Sequence, residues 1–206
     1  MTKEKRSRAD LTALLVLVLC VALAVIAGPA AAAKKKKKIP KSVTVSNNVA
    51  RSIPDRNNGP PIRWGVLETN LNVGKKFKGQ TVKKVEVTFQ TTGDAANAAN
   101  DLDFYVTAPN GRTMGLYWET PLLSGQSIGP LTLTPDSPVR ICNSATPPCA
   151  DPFSTLNRPY AGTAGEPFLA LFQGVPMRGT WKFIVTDDGL NDLSVLNRVT
   201  LKITRQ

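Results

Sequence analysis

The sequence predicts an all-β fold, a two-sheet β-sandwich of jelly-roll type with about eight to nine strands. Three observations lead to it. Short runs alternate apolar and polar residues with a period of two, and no stretch repeats its apolar residues with helical spacing. The 16 prolines and 15 glycines punctuate the chain with turns, while aromatic residues make up only 6%.

Ser42 to Val49 alternates weakly through Val43 and Val45, as an edge strand or an extended arm does. Pro54, Asn57, Gly59, Pro60 and Pro61 mark a loop. A strand is predicted over 62–73 with a bulge at Gly65, then a turn over 75–80. Val82 to Gln90 alternates cleanly, with Val85, Val87 and Phe89 inward. Residues 91–100 read as a polar excursion. Leu102, Phe104 and Val106 give the next core face, and Pro109, Asn110 and Gly111 make a turn before a hairpin partner over 113–118. Leu131, Leu133, Val139 and Ile141 predict one or two further strands. Near the C-terminus, Trp181, Phe183 and Val185 share one face, and Val199, Leu201 and Ile203 share another.

Residues 1–33 have the layout of a secretory signal peptide. Basic residues come first, then the apolar run from Leu11 to Ala27, then Gly28, Pro29 and four alanines. Cleavage after Ala30, Ala32 or Ala33 leaves a secreted protein. An uncleaved leader would be a membrane anchor, at the lower edge of spanning length. The domain plan is therefore a signal peptide at 1–33, a lysine-rich leader with an edge strand at 34–50, and one β-sandwich at 51–206.

Lys34, Lys35, Lys36, Lys37 and Lys38 carry much of the formal charge of +11. They are either a solvated leader or a tether to an anionic membrane or cell-wall polymer. The other basic residues read as scattered along alternating strands, without the clustered patch and stacking aromatics of a nucleic-acid binder. No nucleic-acid partner is expected.

The chain contains no histidine. Ser-His-Asp and Cys-His chemistry both need an imidazole to carry the proton, so neither can operate here. No nucleophile elbow and no phosphate-binding loop is present. No catalytic residue and no organic cofactor is assigned. Once Cys20 leaves with the leader, Cys142 and Cys149 are the remaining cysteines, and an exported chain predicts a disulfide between them.

Four motifs occur in order along residues 51–206. Ile53, Pro54, Asp55 and Gly59 open the series. Asp101 and Leu102 then precede Tyr105 to Gly111 with its Pro-Asn-Gly turn. Pro159, Tyr160, Ala161 and Gly162, with Leu169 to Gly174, form a small-residue loop. Gly179, Thr180 and Trp181 begin a strand that leads through Asp187, Asp188, Gly189, Asn191 and Asp192 into the last strand. This series resembles the P domain (P/Homo B domain) that follows the catalytic domain in subtilisin-like proprotein convertases, and its last part resembles that domain's closing hairpin. The chain departs from the family in lacking a histidine in the third strand region and in having Val199 in place of an aromatic.

The resemblance implies an exported, non-catalytic module that binds or stabilises a partner, a subtilisin-like serine endopeptidase, with a calcium dependence. Ca²⁺ takes six to eight oxygen ligands. The acidic loop supplies Asp187, Asp188 and Asp192, and the resemblance brings Asp101 and Asp103 within reach of them. The alternative is a jelly roll that binds carbohydrate or a cell-surface polymer, for which Tyr117, Trp118 and Tyr160 are the candidate stacking aromatics.

Overall fold

The structure, a computed structural model, describes residues 38–48, 50–57, 59–94, 101–117, 127–137, 160–191 and 193–206. Contacts gather Ile39–Gln206 into one compact unit. The expected signal peptide, Lys34 to Lys37, Trp118, Val139, Ile141, Cys142, Cys149 and Asp192 lie outside the described residues.

The period-two alternation resolves into strands because each run has one apolar face to bury. In chain order these are β1 (Ser42–Asn47), β2 (Arg51–Ile53), β3 (Gly65–Val73), β4 (Val82–Gly93), β5 (Leu102–Thr107), β6 (Thr113–Tyr117), β7 (Ser127–Thr134), β8 (Tyr160–Gly165), β9 (Gly179–Asp187) and β10 (Ser194–Arg205). The first sheet has the order β1-β10-β4-β7-β8, with β2 also paired to β10. The second has the order β3-β9-β5-β6. The protein is a β-sandwich, as predicted. Two 3₁₀ segments, Lys75–Phe77 and Pro167–Phe172, lie at one end.

The inner faces interlock through aromatic rings. Phe89 of β4 stacks on Phe104 of β5 with centroids 4.4 Å apart, and Phe183 of β9 lies 5.5 Å from Phe89. Trp181 is fully buried and donates its indole N–H to the Met177 carbonyl at 2.9 Å, so its one polar atom is satisfied.

Four expectations need correction. The last two strands do not form a hairpin: β9 has both edges taken, by β3 and by β5, so β10 crosses to the other sheet and pairs with β4 and β1. Gly65 is not a bulge but the first residue of β3, in unbroken register opposite Asp187. The polar excursion starts later than residue 91, because β4 continues to Gly93 along β10. The small residues from Tyr160 form a strand, not a loop, and β8 runs parallel to β7.

The topology gives the sandwich two distinct ends. β3, β5, β7 and β10 start at one end, where β4 and β9 finish. The two 3₁₀ segments, the start of β1 and the end of β10 lie at the other.

Candidate functional site

The first end is built by close backbone packing. A Cβ placed on Gly65 would lie 1.6 Å from the Pro54 carbonyl oxygen, so only glycine lets the 54–56 segment cross over the start of β3. That crossing carries Asp55 and Arg56 to the loop between β9 and β10. Asp55 Oδ2 accepts the backbone N–H of Asn191 at 2.9 Å, and Arg56 Nη1 donates to the Asp188 carbonyl at 3.2 Å. Asp55 Oδ1 is buried with no hydrogen-bond partner among the described residues.

Asp187 closes the inward row Trp181, Phe183, Val185 and is fully buried. Its Oδ1 accepts the Gly189 N–H at 3.0 Å, which folds the loop back on the end of β9. The loop is also tied to β5: the Asp188 N–H donates to the Asp101 carbonyl at 3.1 Å. The Asp101 carboxylate packs on Gly189, where an added Cβ would lie 2.2 Å from Oδ2. Asn191 takes a φ of 63°, in the left-handed region that Asn tolerates better than most residues. Asp94 Oδ1 accepts the Leu193 N–H at 2.7 Å and fastens the loop to β4.

The structure thus brings Asp101, Asp187 and Asp188 to one end of the molecule. Asp103 lies one step along β5, opposite Thr186 and on the outer face, where its Oδ2 accepts from the Tyr105 hydroxyl at 3.3 Å. The structure adds Asp55 and Arg56, which the sequence had shown only as part of a family motif and a loop. A crossing that brings residue 55 to residue 191 leaves no local signal apart from the glycine it needs. Among the described residues, no three acidic side chains converge closely enough to hold a metal ion. The oxygens present are of the hard type Ca²⁺ prefers, and any further ligands would have to come from backbone carbonyls or from Asp192.

Beside this end runs an exposed apolar strip that the sequence analysis missed. Ile62, Trp64 and Val66 are 59%, 57% and 53% exposed, and Leu190 and Leu193 add to the same end. Val66 points outward because Gly65 and Leu67 fill the inward positions of β3. β3 is also an edge strand, and Arg51 Nη1 covers part of that edge by donating to the Glu68 carbonyl at 2.7 Å. Trp64 is a further exposed aromatic beside the three expected stacking candidates. Trp118 lies outside the described residues, and for Tyr117 and Tyr160 only the backbone is described.

No protein-family model matches the chain, and no curated protein matches it. Among solved structures it is similar to a serine protease of Aeromonas sobria, at 16% identity and a TM-score of 0.44, over 84% of this chain and 28% of the other. It is also similar to that bacterium's serine protease in the complex with its chaperone, at 15% identity and a TM-score of 0.39, over 83% of this chain and 28% of the other. The chain thus spans under a third of the length of either structure. Likeness at this level fixes neither activity nor partner.

Proposed function

We propose that this chain is an exported, non-catalytic β-sandwich module that docks on a protein partner, and that the partner is a subtilisin-like serine endopeptidase. The observation that carries the docking is the exposed strip of Ile62, Trp64 and Val66 at the edge of the second sheet. Contiguous apolar side chains with a tryptophan among them, rimmed by charges, are what protein interfaces use. Here Arg63, exposed between Ile62 and Trp64 in the chain, supplies a charge beside them. The choice of an endopeptidase rests on the four sequence motifs. The absence of any histidine supports a binding role over hydrolysis by a triad.

The test is to mix the purified chain with a subtilisin-like peptidase from the same culture fluid and follow the peptidase's heat inactivation. Co-purification and slower inactivation are expected, with both lost in Trp64→Ala/Val66→Ser. The chain alone should leave casein uncut. Casein cleavage by a preparation free of peptidase, or a peptidase indifferent to the chain, would overturn the proposal.

Exposure of Trp64 also favours a second reading, carbohydrate binding by stacking. It predicts retention on cell-wall polysaccharide that Trp64→Ala abolishes, with no effect on any peptidase. The calcium dependence implied by the resemblance is proposed for the acidic end, supported by its hard oxygen donors Asp55, Asp101 and Asp187.

A further inference from the structure

The end of the sandwich opposite the acidic loop gathers basic side chains that the sequence shows as scattered. Lys75, Lys76 and Lys78 come from the first 3₁₀ segment and its cap, Lys41 from the start of β1, Lys83 from the start of β4, and Arg178 from the approach to β9. All six are exposed. Backbone hydrogen bonds join their segments into one rim. Arg205 N–H donates to the Lys41 carbonyl at 3.0 Å, Gln206 N–H to Thr81 at 3.0 Å, Gln80 N–H to Phe77 at 3.0 Å and Met177 N–H to Gln80 at 2.9 Å.

Two acidic side chains described at this end are already engaged. Asp136 pairs with Lys84 at 2.7 Å, and Glu166 accepts the Phe168 N–H at 3.0 Å. The same end displays two apolar side chains on the second 3₁₀ segment, Phe168 at 47% and Leu171 at 50% exposure. They are three residues apart and so share one face of a 3₁₀ helix. Arg112 donates to the Leu171 carbonyl and fixes that segment against the turn after β5. Among the described residues, the opposite end carries Asp55, Asp94, Asp101, Asp103, Asp187 and Asp188 against Arg56 and Arg63, so the two ends differ in net charge.

We propose that this basic end is a peripheral docking site for an anionic lipid surface. Its lysines would meet lipid phosphates while Phe168 and Leu171 enter the headgroup region. The charge alone would suit any polyanion. The exposed Phe168 and Leu171 decide for lipid, because a hydrophilic polymer offers an apolar pair nothing to bury against. The contact is peripheral: no helix among the described residues is long and apolar enough to cross a membrane. Polarity would orient the bound domain, with the acidic end and the Trp64 strip facing away from the lipid.

Co-sedimentation with phosphatidylglycerol vesicles tests this, with phosphatidylcholine vesicles and soluble polyphosphate as controls. Residues 39–206 are used beside the full chain, because that segment holds every core residue and lacks the leader. Binding to the anionic vesicles alone is expected, weakening as salt is raised. Lys75→Ala/Lys76→Ala/Lys78→Ala should weaken it by roughly 100-fold, and Lys41→Ala/Lys83→Ala/Arg178→Ala by a similar factor. Phe168→Ser/Leu171→Ser should cost roughly tenfold or more on vesicles. Thermal melts establish that each variant is folded. No binding by the parent, or equal binding by parent and both triple variants, overturns the site. Equal affinity for polyphosphate, with Phe168→Ser/Leu171→Ser without effect, overturns the lipid assignment in favour of a polyanion.

Discussion

Gly65 lies directly against the Pro54 carbonyl, with 1.6 Å between that oxygen and the position a Cβ would take. The contact is backbone against backbone, so no side chain can swing aside to relieve it. Gly65→Ala must move either the start of β3 or the segment that delivers Asp55 and Arg56. A loss of about 3 kcal/mol or more is expected, read as a lower melting temperature. Gly74→Ala is the control. Its φ is −72° and nothing lies within 4 Å of its added Cβ, so it should be neutral to slightly stabilising.

The strands were legible because a period of two is a local signal. Val85, Val87 and Phe89, or Val199, Leu201 and Ile203, announce their buried face without reference to any other segment. Pairing was not legible in the same way. Nothing within 179–203 says that β9 will already be flanked by β3 and β5, so its join to β10 looked like a hairpin. Asp101 and Asp187 were placed together by a family resemblance, and the structure does place them at one end. Asp55 and the basic end depend on contacts between residues far apart in sequence, which no local pattern encodes. Trp64 was hidden for a different reason. In an alternating strand an aromatic is normally core, and only the register starting at Gly65 turns residues 64 and 66 outward.

Trp64 supplies a stability prediction of its own. At 57% exposure it contributes little to the core, so Trp64→Ala should change the unfolding free energy by no more than about 0.5 kcal/mol. Trp181→Ala, at 0% exposure, should cost about 3–5 kcal/mol. A large destabilisation by Trp64→Ala in urea unfolding would make the strip part of the fold rather than a docking surface.

Glu86 sets a pH dependence. Burial pushes its carboxyl up, but hydrogen bonds from Lys202 and Lys84 outweigh this and hold it below the ordinary 4.5. The two lysine nitrogens lie 2.8 and 3.3 Å from its oxygens. A carboxyl held low in the folded state adds stability above its unfolded pKa and loses it as pH falls through the folded value. Glu86→Gln should therefore be less stable than the parent near neutrality, with the gap closing below about pH 4.5. Lys202 is half exposed, so the gap should stay under about 1 kcal/mol. Lys84 acts in the other direction. Its hydrogen bond to Asp136 raises it above 10.5, so its share persists until strongly alkaline pH. Parallel melting curves for parent and Glu86→Gln from pH 7 to 3 would remove Glu86 from this role.

Cys142 and Cys149 are expected to be bridged in exported protein. The small ring would be worth about 2–3 kcal/mol at most. Non-reduced protein should be two hydrogens lighter than reduced protein by mass spectrometry, and two freely alkylated thiols in fresh secreted material would exclude the bond.

Calcium is the sharpest test of the acidic end. Ca²⁺ that binds only the folded chain raises the melting temperature by mass action once its concentration exceeds Kd. We expect millimolar Ca²⁺ to raise the melting temperature over that in excess EDTA. Asp101→Asn should reduce the rise, because its carboxylate packs on Gly189 in the loop between β9 and β10. Asp55→Asn should reduce the rise as well, and in the apo protein should cost little, since an amide oxygen still accepts the Asn191 N–H. Asp187 is a poorer probe, because its Oδ1 holds the Gly189 N–H and the side chain is fully buried, so its removal destabilises the loop with or without metal. Arg56 works against a cation here: its guanidinium already donates to the Asp188 carbonyl, and Arg56→Gln should therefore tighten Ca²⁺ binding. Identical melting curves in EDTA and Ca²⁺ for the parent and for Arg56→Gln, with no heat on titration, would leave these aspartates as groups that only close the loop.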